Sequence, residues 1–147
     1  MDIKKFITGT LVGGVTHFLL GFILYGLLLE SFFIANAGSA TGVNRGPEDM
    51  VWWALILGSL AFAALITYIF LKWAHISTFK SGLRRGAVIG FLLGLSFDMM
   101  MYATSNLMNL TAALVDIAVG TIMMGLVGGV IGAVLHVKPQ QHQAAAA

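Results

Sequence analysis

Four apolar runs, separated by short polar connections, constrain this chain more than any other feature. They cover about residues 6–33, 51–71, 81–103 and 110–137, and a helix that crosses a bilayer needs roughly 20 apolar residues. The 147 residues are 59% hydrophobic and 10% charged, with a mean hydropathy of +0.92, outside the range of soluble domains. The chain is read as all-α: one integral membrane bundle of four transmembrane helices over residues 1–138. A low-complexity tail at 139–147 is expected to be disordered. Its immediate partner is the lipid bilayer.

The connections set the helix ends. Ala35-Asn36-Ala37 has the small residues of a signal cleavage site, but the run before it is about twice the usual 7–15-residue core. It is therefore expected to stay as the first helix. Residues 34–50 form the only sizeable loop. That loop closes on Gly46-Pro47-Glu48-Asp49, a helix start with proline early and acids near the positive end of the dipole. Trp52 and Trp53 mark one interface of helix two and Trp73 the other. Two rows of small residues lie along that helix, Ala54, Gly58, Ala61 and Ser59, Ala63, Thr67. Arg84 and Arg85 at the start of helix three can snorkel outward. Asn106 or Asn109 is the expected cap of helix four, and Lys138-Pro139 its stop.

Loop charges give the orientation. Lys4, Lys5, Lys72, Lys80, Arg84, Arg85 and Lys138 fall on one side of a four-helix chain, leaving only Arg45 on the other. The positive-inside rule then puts both termini in the cytoplasm. The net charge of +2 and pI of about 9.2 follow from this distribution and imply no nucleic-acid partner, since no basic patch with interleaved aromatics is present.

Within the spans, one residue in four is drawn from a narrow set. Gly82, Gly86, Gly90, Gly94, Asp98, Tyr102 and Asn106 follow one another at i+4 on helix three, and on helix four Asp116, Gly120, Met124, Gly128, Gly132 and His136 repeat the spacing with the carboxylate first. Small residues four apart let two helix backbones approach closely, so an antiparallel pair with Asp98 and Asp116 at matching depth is expected. The two acids lie about 8 Å and about 9–10 Å inside the outer helix ends at 1.5 Å per residue. Ionisable groups in a span are costly and mark a functional site by default. Facing carboxylates with no cation at that depth would share a proton, making a proton or cation site with Tyr102 and Asn106 nearby. The alternative is that each acid bonds a neighbouring polar group and locks the helices together. His17, midway along helix one with Tyr25 two turns later, could relay protons or simply bond another helix. Glu30 is expected at the interface.

Other chemistry is absent from the sequence. No cysteine is present, which removes disulfides, thiolate metal sites and cysteine nucleophiles. No close-spaced metal-ligand motif, phosphate loop or nucleophile elbow occurs, so no metal, no cofactor and no enzymatic reaction is expected. The Asn109-Leu110-Thr111 sequon lies too close to the membrane to serve as an acceptor.

His17-Phe18 with Gly21 and Tyr25, and later residues 102–106 leading to Leu110-Thr111, Val115-Asp116 and Gly120, resemble a family of small bacterial four-helix inner-membrane proteins of unknown function. The resemblance implies a multi-pass protein of the bacterial cytoplasmic membrane and supplies no activity or ligand. Two roles are consistent with the residues: a homo-oligomer that binds or conducts a proton, cation or small solute, and a non-catalytic scaffolding subunit of a larger membrane complex.

Overall fold

The computed structural model describes residues 2–136; the expected end of helix four at residue 137 and the tail lie outside the described residues. These are helical, with no strand among them beyond one isolated antiparallel bridge between Ala37 and Met108. Four helices are long and apolar enough to cross a membrane: Ile3–Leu28, Trp52–Ala74, Phe79–Thr104 and Leu110–Leu135.

Local chemistry explains their ends. α1 (Ile3–Gly21) starts ahead of the expected residue 6 because the Asp2 carboxylate accepts the Lys4 and Lys5 amides at 3.0 and 3.3 Å, satisfying donors left open by the first turn. It continues as a π-helical stretch, Phe22–Leu28, then breaks at Leu29 and restarts as the short α2 (Glu30–Ala35). The first run is therefore not one regular helix to residue 33. Gly21 and Gly26 flank and interrupt the wide stretch, and glycine favours the α-helix least among residues other than proline.

α3 (Trp52–Ile69) also runs on through a π-helical end, Phe70–Ala74, and stops where His75 turns left-handed at φ 48°. α4 (Phe79–Thr104) is capped by Thr78, whose hydroxyl accepts the Ser81 amide at 3.2 Å. Of the two candidate asparagines, Asn109 caps α5 (Leu110–Leu135), accepting the Ala112 amide at 2.9 Å.

α1 packs on α3 and α5, and α4 packs on α5 along the seam of glycines. At Gly82 and Gly86 an added Cβ would run into the carbonyls of Gly128 and Met124, and at Gly132 into that of Thr78. Here the absence of a side chain is a requirement of backbone contact. Gly9, Gly13 and Gly14 let α1 settle as closely on Thr67, Ile131 and Leu60. The core, with Ala63 and Ile66 of α3 and Phe70 of its π-helical end against Val127, Ile131 and Leu135 of α5, occupies the half of the bundle nearest the start of α1 and the end of α5. Lys5 Nζ ties that end by donating to the Leu135 carbonyl at 3.1 Å.

The opposite end is held by backbone bonds between two loops. Gly38 and Ala40 amides donate to the Leu107 and Asn106 carbonyls at 3.0 and 3.1 Å, and the Asn109 amide donates to that of Asn36 at 3.1 Å.

Thr67 is fully buried and, among the described residues, its hydroxyl has no hydrogen-bond partner. Valine has nearly the same shape and no unpaired donor, so Thr67→Val is expected to stabilise the fold by about 1 kcal/mol. Thermal unfolding in detergent reads this as a raised midpoint. A lowered midpoint would mean that the hydroxyl has a partner.

Candidate functional site

Close packing at one end and cavities at the other follow from the same glycine rows. At Gly94 an added Cβ would make only ordinary contacts, 3.5 Å from Ile117 Cα and 3.7 Å from Asp98 Oδ2, and at Gly120 it would meet nothing within 4 Å. These two glycines do not seal the α4–α5 seam. They leave room beside it, and a cavity of about 200 Å³ opens there, lined by Asp98, Asp116, His17, Tyr25 and both glycines among others. Among the described residues, no lysine or arginine lines it.

The two acids share this cavity, but they do not form the expected carboxylate pair. Tyr25 Oη donates to Asp116 Oδ1 at 2.6 Å, so the partner of Asp116 is a phenol from helix one. Asp98 is partly exposed and, among the described residues, makes no side-chain hydrogen bond. A proton shared directly between the acids is thereby replaced by one bonded carboxylate and one open one.

Tyr25 owes its place to the π-helical stretch. It lies eight residues after His17, whereas two α-helical turns take about 7.2 residues, which would leave it about 80° off the His17 face. A turn bonded i to i+5 holds an extra residue and absorbs that offset. Both side chains accordingly line this cavity. Both also line a second cavity of about 440 Å³ between α1 and α3, walled mainly by aromatic and aliphatic side chains.

His17 is anchored to α3. Its Nδ1 lies 3.1 Å from Ser59 Oγ, and its ring stacks on Phe62 at 5.4 Å. It bonds neither acid, and stands as part of the wall between the two cavities. Tyr102 and Asn106 do not line the acid cavity. Tyr102 lies one turn beyond Asp98 on α4 and is 43% exposed. Asn106 belongs to the loop junction, where its carbonyl accepts from Ala40. Among the described residues no three His, Asp or Glu side chains converge as metal ligands.

The cavity thus presents an open carboxylate, a tyrosine-bonded carboxylate and an imidazole in an otherwise apolar wall. Such a set accepts hydrogen bonds and positive charge. Comparison with known proteins finds no matching family model, no similar curated protein and no similar solved structure.

Proposed function

We propose that the protein is a multi-pass protein of a bacterial inner membrane, with both termini cytoplasmic, that binds a proton, a small cation or a small cationic solute at the Asp98–Asp116 cavity. One observation carries this reading: Asp98 sits in an apolar helix with its carboxylate open to a cavity and no hydrogen bond among the described residues. An acid at the centre of a span costs about 2.5–3.5 kcal/mol on insertion scales, and less toward its ends. An acid retained only as structural glue should have its oxygens bonded.

The lopsided distribution of basic residues supports the orientation. Conduction would be completed by a homo-oligomer, since the exposed apolar face of α4 at Val88 and Leu92 is available to another copy or to lipid. The alternative role, a non-catalytic scaffolding subunit, would use the exposed small-residue row Ala54, Gly58 and Ala61 on α3.

Proton, sodium and potassium flux into liposomes containing the purified protein tests the proposal. Asp98→Asn keeps the shape and removes the charge, and should lower flux of the conducted ion by about tenfold or more, the scale of a charge-assisted contact. Equal flux in wild type, Asp98→Asn and Asp116→Asn removes the reading. Mild purification that yields other subunits at fixed stoichiometry, with no flux, favours the scaffold.

A further inference from the structure

The larger cavity differs chemically from the acid one. Phe18, Phe22, Trp52 and Leu55 are among its walls, and Glu30 and Arg45 also line it. About 440 Å³ falls within the roughly 300–1,000 Å³ of small-molecule sites. Near its inner part the polar atoms of His17 and Ser59 already face each other at 3.1 Å, so that region asks little of a ligand. Glu30 and Arg45 are both exposed. Among the described residues Arg45 Nη1 reaches only the Asp49 carbonyl, at 3.4 Å, which leaves the other guanidinium donors available. Arg45 is also the single basic residue of the loop that joins the first two spans.

We propose that this cavity holds one acyl chain of a zwitterionic phospholipid from the surrounding bilayer, with Arg45 on the phosphate and Glu30 on the ammonium group. Guanidinium groups bind phosphate through paired N–H donors, and a carboxylate beside it disfavours a purely anionic head while attracting an amine. Aromatic walls supply the apolar surface that a chain needs. The inference rests on the bilayer placement proposed above but not on the acid cavity. Asp98→Asn should leave lipid binding unchanged, so failure of the solute reading and failure of this one are distinguishable.

Trp52 lies on the cavity wall, and its fluorescence reports a brominated acyl chain beside it. Trp53 and Trp73 are 70% and 68% exposed, so Trp53→Phe with Trp73→Phe leaves Trp52 as the sole reporter. In nanodiscs titrated with brominated phosphatidylethanolamine or phosphatidylglycerol, quenching should show a saturable component above the linear contribution of surrounding lipid. Half-saturation should come at about two- to fivefold lower mole fraction for phosphatidylethanolamine, the scale of exposed charge pairs. Glu30→Gln should erase that preference. Gly21→Leu places a side chain in the cavity, where a Cβ meets nothing within 4 Å, and should remove the saturable component. Quenching that is linear, or saturable with no difference between the two headgroups, overturns the assignment.

Discussion

Gly86→Leu is expected to abolish stable folding, lowering stability by more than about 3 kcal/mol, whereas Gly120→Leu should cost little. Overpacking a well-filled core typically costs about 1–3 kcal/mol when side chains can shift. At Gly86 the obstruction is backbone: a Cβ meets the Met124 carbonyl and comes within 3.1 Å of Gly128 Cα. Neither atom can move without parting α4 from α5, and α5 is the helix on which α4 chiefly packs. Gly120 occupies the same i+4 row on α5, yet nothing lies within 4 Å of its missing side chain. Unfolding in a graded mixture of dodecylmaltoside and dodecyl sulfate, followed by circular dichroism, separates the two. Comparable midpoints for Gly86→Leu and wild type would refute close backbone contact at this seam.

That contrast marks what could be read from residue types alone. Length and apolarity reveal four long helices, because a run of such residues has few other stable arrangements. The i+4 glycines point to a close α4–α5 approach, and the order of acid and glycines along the two helices brings Asp98 and Asp116 to one cavity. Row membership does not reveal where the seam opens. Tyr102, one step past Asp98 in the row, lies outside the cavity, and Gly94 and Gly120 of the same rows lie beside space.

The wide stretch at Phe22–Leu28 had no signature beyond two glycines, since π-helical geometry is a response to packing more than to propensity. With it went the Tyr25–Asp116 bond and the larger cavity. The pairing of the first loop with the α4–α5 turn was equally hidden. Backbone groups make those bonds, and any residue but proline carries them. Asn36 and Asn109 are joined side chain to side chain at 3.1 Å, and the sequence marks Asn109 as a helix cap without indicating its tie to Asn36.

Tyr25→Phe and Asp116→Asn should part stability from function. Removing the phenol deletes a 2.6 Å bond to a carboxylate and leaves Asp116 without that donor. The expected loss is about 1–2 kcal/mol, above the roughly 0.6 kcal/mol average for bonds between membrane helices because the acceptor is an acid. Asp116→Asn keeps an oxygen that can accept from Tyr25, so its unfolding midpoint should stay near wild type. Solute binding should suffer in the opposite order: the asparagine removes the charge and weakens binding by about tenfold or more, while phenylalanine keeps both carboxylates in the cavity. A cycle of Tyr25→Phe with Asp116→Ala, each of which removes the bond, tests it directly, since the double variant's destabilisation should fall short of the sum of the singles by the coupling between these groups. Strict additivity would mean that the phenol and the acid do not interact. Equal loss of stability in Tyr25→Phe and Asp116→Asn would mean that Asp116 serves the fold, leaving Asp98 as the only acid available for binding.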